Sequence, residues 1–185
     1  EDGVGKNGTK TLYAVWAANT YTVKYYTWNG TEVGSSSHTY DTAKNLTTYA
    51  TLNANSSNKL VENGFTFKGW IKATAAQTSR IGTQTYADGV SVSNLTATNG
   101  DTIKLYAVYS ADQCNITYDY ASGTAGAANP SKYTVSEKDE TYTLSKPTRT
   151  GYTFTGWTSS LDGVSVSGTT ITVTALTYGN VKLTA

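Results

Sequence analysis

The chain has 185 residues and a formal net charge of +1, from 14 Lys and Arg against 13 Asp and Glu. So small a net charge gives no field to attract nucleic acid or an anionic membrane surface, and neither is expected as a partner. Fifteen Tyr, 17 Gly, two Pro and no Met leave a chain suited to strands rather than helices. A single cysteine, Cys114, excludes an internal disulfide framework.

Taken in order, the chain opens without Met and in the middle of a pattern, as a piece of a longer protein would. Residues 10–16, Lys-Thr-Leu-Tyr-Ala-Val-Trp, read as a closing strand with apolar groups on both faces. Such surface is costly to leave in water, at about 25 cal/mol per Å², so this strand is expected to be ordered and to pack on the unit that begins at Tyr21. An opening strand over 21–28 places Val23 and Tyr25 on one face and Lys24, Tyr26 and Trp28 on the other. A polar excursion holding His38 comes next, then a strand with a turn over 46–53, with residues 41–49 as an alternative short helix. Asn-Gly pairs at 29–30, 63–64 and 99–100 mark turns.

Gly64-Phe65-Thr66-Phe67-Lys68-Gly69-Trp70 reads as an aromatic strand. In the matching segment 151–157, strict alternation would put Trp157 opposite Tyr152 and Phe154, so a bulge or sharp bend at Gly156 is expected to swing the indole back inward, the alternative being that something covers the second face. A polar stretch over 73–87, a long loop or added hairpin, leads to Asp88-Gly89-Val90-Ser91-Val92-Ser93 and a closing strand over 102–109. The order then repeats: opening strand 115–121, strand 141–145, Gly151-Tyr152-Thr153-Phe154-Thr155-Gly156-Trp157, Asp162-Gly163-Val164-Ser165-Val166-Ser167, and a closing strand over 170–185.

The offsets locate the differences between the units. Gly-Trp recurs after 87 residues (151 − 64), and Asp-Gly-Val after 74 (162 − 88). The first unit thus carries 13 more residues (87 − 74) between those motifs, and insertions of this kind belong in surface loops. The joints at 17–20 and 110–114 are too short to act as flexible tethers. The division expected is 1–20 as the closing strand of a preceding repeat, 21–112 as repeat one and 113–185 as repeat two. The two repeats should fold as separate, abutting units.

An opening strand of the Tyr21-Thr22-Val23-Lys24-Tyr25 type, then Gly151-Tyr152-Thr153-Phe154-Thr155-Gly156-Trp157, then Leu12-Tyr13-Ala14-Val15-Trp16, resembles the Listeria–Bacteroides repeat family. Those are the internalin-type B repeats of bacterial surface proteins. The resemblance covers nearly the whole chain. It implies a mainly β, β-grasp-like small α+β fold, with at most one short helix per repeat, in tandem on secreted or cell-wall-attached proteins. Extra residues in repeat one, and an ending in Leu183-Thr184-Ala185, depart from the family's pattern.

Chemistry has few footholds. His38 and Cys114, the sole members of their types, lie far apart in sequence and are read as a loop residue and a small joint residue. Gly163-Val164-Ser165-Val166-Ser167-Gly168 only looks like a nucleophile elbow and belongs to a strand. Glu137, Asp139 and Glu140, interrupted by Lys138, are read as a solvated turn in preference to a calcium site. Lys24, on a polar face, does not suit an isopeptide crosslink, which needs a buried lysine. Trp70, Trp157, Phe67 and Phe154 are expected in the core. Tyr26 and Trp28 are the candidate ligand-binding pair, able to stack on a sugar ring if exposed. The alternative is that Trp28 covers a loop or the neighbouring repeat. The reading is a non-enzymatic extracellular module of a bacterial adhesin, a stalk or presentation segment with no cofactor and no metal. Its partners would be neighbouring repeats, and host or cell-surface proteins or glycans. A carbohydrate- or mucin-binding module using Tyr26 and Trp28 is the alternative.

Overall fold

The computed structural model describes residues 12–57 and 59–185. Its first half holds β1 (Thr20–Tyr26), β2 (Glu32–Thr39), β3 (Lys44–Asn45), α1 (Tyr49–Asn55), β4 (Phe65–Lys72), β5 (Ser91–Val92) and β6 (Thr102–Ala111). The second holds β7 (Gln113–Asp119), β8 (Lys132–Thr134), β9 (Glu140–Thr143), β10 (Thr158–Ser159), β11 (Val164–Ser167), β12 (Thr170–Val173) and β13 (Val181–Thr184). The protein is mainly β, with one helix among the described residues.

The first sheet runs β2-β1-β6-β4, with β1 parallel to β6 and the outer strands antiparallel to their neighbours. Tyr21, Val23 and Tyr25 alternate inward on β1, as a strand with one covered face requires. β6 is buried without a break from Leu105 to Tyr109, which marks a strand covered on both faces. A parallel pair needs a crossover, and α1, β4 and the polar stretch 73–87 lie within it. The second sheet runs β8-β7-β13-β10, again with its first and last strands, β7 and β13, paired parallel. The two sheets thus share one order and one set of senses.

Several expectations are corrected. Residues 49–55 form a helix where a strand with a turn was expected. Thr48 caps it by accepting a hydrogen bond from the Thr51 amide, and Asp88 Oδ1 accepts from the Tyr49 amide at 2.7 Å. Its buried Leu52 lies so near β2 that a Cβ on Gly34 would stand 2.6 Å from it, so only glycine fits there. Packing and capping outweigh the local strand propensity. In the second half, residues 140–143 form β9, in a separate β11-β12-β9 sheet.

The strand expected over 170–185 is two strands in two sheets. They are separated by a turn in which Leu176 and Gly179 adopt φ of 64° and 135°. Residues 152–157 are irregular, although their counterpart is β4. Residues 12–19 form no strand, and Leu12, Tyr13, Val15 and Trp16 stand 85–94% exposed. The expected packing of 10–16 on the first unit therefore fails for its described part. Residues 10 and 11 lie outside the described residues. The long closing strand β6 already fills the place beside β1 that such a strand would take.

Candidate functional site, the joint between the halves

β6 ends at Ala111 and β7 begins at Gln113, so Asp112 alone separates the two sheets. Strand pairing divides cleanly there, but the core does not. Buried apolar side chains of both halves form one contiguous cluster, from Tyr21 to Leu183. The two expected units thus abut with their buried apolar groups in contact. A one-residue connection cannot hold two apolar surfaces apart, and contact spares both from water.

Gly64 provides the close approach. Its φ is +81°, and a Cβ there would stand 2.9 Å from Val135 and 3.2 Å from Tyr178, both in the second half. The Asn63-Gly64 turn thus brings backbone against the neighbouring sheet. The Asp112 amide donates to Gly64 O at 2.9 Å, and the Val135 amide donates to Asp112 O at 2.9 Å. Thr66 Oγ1 donates to Asp112 Oδ1 at 2.6 Å. The linking residue is therefore held from both sides.

The clamp comes from the inserted stretch 73–87. It is a long loop, not an added hairpin, and its amides and carbonyls bond back onto β4, β6 and Trp28. It presents Arg80 at the seam, with only 17% of the side chain exposed. Arg80 Nε donates to Glu62 Oε2 at 2.8 Å, within the first half. Arg80 Nη1 donates to Glu137 Oε1 at 3.1 Å, across to the second. Glu137 also accepts from the Arg80 amide at 2.9 Å and from Ser79 Oγ at 2.5 Å. The guanidinium lies 4.4 Å from the Trp28 ring centre and 5.3 Å from that of Phe65. Burial alone would raise the Glu137 carboxyl, but the hydrogen bonds from the Arg80 amide, Ser79 and the guanidinium outweigh it and hold it below its usual range.

The residues singled out in the sequence fall into place around this seam. Trp28 is half-buried; its indole N–H donates to Glu62 Oε1 at 2.8 Å while its face carries Arg80. It packs at the joint, with the Arg80 guanidinium against its ring. Tyr26, half-buried, stacks on Tyr106 at 5.1 Å and reaches Glu32, which also pairs with Lys24 at 2.9 Å. The two candidates thus have separate partners and form no shared platform. Trp70 has no exposed surface and sits edge-on to Tyr25 and Phe67; Trp157 is 5% exposed among Tyr118, Tyr120 and Phe154. Phe67 and Phe154 are half-buried against that core. At the first Gly-Trp step the register shifts between Phe67 and Gly69, whereas Gly156, where the bulge or bend was expected, lies in an irregular segment. Gly69 and Gly156 share unusual φ values of 146° and 155°.

His38 is buried on β2, not in a loop. It stacks on Tyr21, and Ser36 Oγ lies 3.0 Å from Nε2. Burial, and then the Lys44 charge, lower its pKa. Cys114 is buried too, its Sγ accepting from the Gly179 amide at 3.4 Å. The two have different neighbours. The acidic turn is dispersed as well: Glu137 enters the joint, Asp139 accepts from the Ala175 amide, and Glu140 accepts from Ser136. Glu137 is thus no solvated turn residue. No group of three or more potential metal ligands occurs among the described residues. Sequence reasoning missed Gly64, Ser79 and Arg80 as joint residues. The available signal was one of the chain's two arginines lying within the inserted stretch.

Fold and joint define a mainly β modular protein in which one strand order occurs twice across a tight seam. Residues 115–185 match the model of the Listeria-Bacteroides repeat domain. The repeat is typical of bacterial surface proteins. No curated protein and no solved structure matches the chain. No helix among the described residues is long and apolar enough to cross a membrane.

Proposed function

We propose that the chain is a non-enzymatic segment of a bacterial surface protein, a run of two β-grasp-like tandem repeats serving as an extracellular, secreted or wall-attached stalk that presents other parts of an adhesin. The observation that carries this reading is the joint. A one-residue link, a glycine contact and an arginine shared between Glu62 and Glu137 hold the halves in one relation. A stalk needs such a fixed relation, whereas a flexible tether would have a longer, polar linker. The parallel pairing of the first and last strands in each half, with a helix in the first crossover, supports the β-grasp description. Protein partners at the cell surface remain part of the proposal, and glycan recognition by Tyr26 and Trp28 is the weaker alternative because Arg80 covers the Trp28 ring.

Small-angle scattering on the chain and on the Arg80→Ala/Glu137→Ala variant tests the stalk. A single rigid envelope should give way to a broader distribution of dimensions in the variant. Unchanged scattering in the variant, or a wild-type profile that needs many orientations, refutes it.

A further inference from the structure

The chain comes into the first half through β1 and leaves it through β6, and these two strands lie side by side and parallel. Five residue pairs join them, from Thr22 opposite Thr102 to Tyr26 opposite Tyr106. β6 then runs on to Ala111 and continues through Asp112 into β7. The parallel sense decides where the two connections stand. The incoming chain meets β1 beside the start of β6. The outgoing chain leaves at Ala111, nine residues past Thr102 (111 − 102), about 30 Å further along the strand axis. The two connections are thus at opposite ends of one ladder. In the antiparallel pair β1–β2, by contrast, Thr20 lies opposite Thr39, so the outer ends share one side.

Tension along the chain therefore drives β1 and β6 past each other lengthwise. Sliding strains every hydrogen bond of the ladder together, whereas prising the strands apart from one end breaks the bonds in turn. A bond of modest net strength resists far more as one of a set that shares the load. The surroundings oppose sliding as well. Val23, Tyr25, Ile103 and Leu105 are buried beneath the pair, so water does not reach that side to replace a broken bond. On the other side Tyr26 stacks on Tyr106, its partner in register, with ring centres 5.1 Å apart. β4 holds the far edge of β6, from Phe65 opposite Ala111 to Lys72 opposite Leu105, and that register must also be lost before β6 can move. Asp112 passes the load on while bonded through its amide to Gly64 O and through its carbonyl to the Val135 amide. β7 and β13 repeat the parallel pairing, with Lys182 Nζ 2.8 Å from Asp119 Oδ2 across it.

We propose that the first half bears tension: β1 and β6 form a lengthwise clamp that keeps the module folded while force passes along the chain. The proposal builds on the stalk reading, since a segment between two attachments is what force pulls in this direction.

Single-molecule stretching of the full chain in two directions tests it. Both versions carry Cys114→Ser, which removes the native thiol, and a handle at Ala18→Cys. The second handle is Gln113→Cys for lengthwise load or Ala97→Cys for peeling. Ala97 O accepts from Asn19 Nδ2 at 2.8 Å, so that handle sits where the chain comes into β1. All three handle positions are exposed. Lengthwise rupture should need several times the peeling force. It should release about 300 Å, the reach of the 92 residues from Thr20 to Ala111 (111 − 20 + 1) at about 3.3 Å each. Rupture under load follows the unfolding rate, so unchanged equilibrium stability in the two versions would not mask the contrast. Equal forces in the two directions, or a lower lengthwise force, overturn the clamp and leave the stalk reading to the scattering test. A scattering profile that needs many orientations removes the stalk and leaves the force contrast as measured.

Discussion

Residues 64–70 and 151–157 carry one pattern, yet the first is a regular strand through Phe65–Lys72 and the second is irregular until Thr158. Aromatic spacing, bulge glycine and buried tryptophan are common to both. Their pairing differs as well: β6 pairs with residues 65–72, and β13 with residues 158–159. An alternating sequence supplies a strand's side chains, but the neighbouring backbone decides whether its amides are paired. Tryptophan burial is independent of that outcome, because three aromatic rings surround Trp157 without β4's equivalent.

The largest expected effect tests that independence. Trp70→Ala and Trp157→Ala should each cost about 3–5 kcal/mol, as truncation of a buried aromatic does, and depress the thermal unfolding midpoint. If Trp157→Ala cost under about 1 kcal/mol while Trp70→Ala cost the full amount, burial would depend on strand pairing after all and the comparison would break.

Next comes the seam. Arg80→Ala leaves Glu62 and Glu137 without their shared donor and uncovers Trp28, and should cost about 1–3 kcal/mol, the range for losing charge-assisted hydrogen bonds in a half-buried site. A double-mutant cycle of Arg80→Ala with Glu137→Ala isolates the cross-seam share. Strict additivity would show that the two side chains do not act together.

Proton linkage sharpens the same contrast, because each half holds a group of its own. The folded-state pKa of Glu137 is depressed, so its contribution is present above the usual carboxylate value near 4.5 and is lost as pH falls below it. Glu137→Gln should flatten the unfolding midpoint against pH below that point and leave the profile near neutrality unchanged. His38, also lowered, is held neutral when folded, so the unfolded chain takes up the proton first. Stability should decline as pH drops from the ordinary value of 6.5 towards the folded one. His38→Gln should remove that decline and leave the lower-pH one, which separates the groups in a series of melts.

The smallest effect is at Tyr26. Its stack on Tyr106 lies at the rim of the first sheet, and Tyr26→Ala should cost about 0.5–1.5 kcal/mol. The measurement is the chemical unfolding midpoint. A loss several times larger would place Tyr26 in the core instead.

Much of the frame was legible without coordinates. The alternation over Tyr21, Val23 and Tyr25, the Asn-Gly turns and the recurrence of one segment order are short-range patterns that local sterics translate directly into structure. The helix over 49–55 was not legible, because its stability comes from Thr48 as cap and from Leu52 against Gly34, a contact between segments the sequence does not show to be neighbours. His38 looked like a loop residue because its Ser-rich surroundings carry no apolar alternation, though Tyr21 covers it. The inserted stretch 73–87 was legible as an insertion, and its length gave no hint that Arg80 would reach Glu137, 57 residues away.

The sequence by itself determined the mainly β character and the strand order's recurrence, since these rest on periodicity and on motifs repeated at fixed intervals. Only the tertiary structure decided the joint: which polar groups meet, that Trp28 faces Arg80, and that the two cores run together at Gly64. Charge pairs and close backbone approaches depend on distances across the fold, which side-chain period and spacing along the chain do not encode.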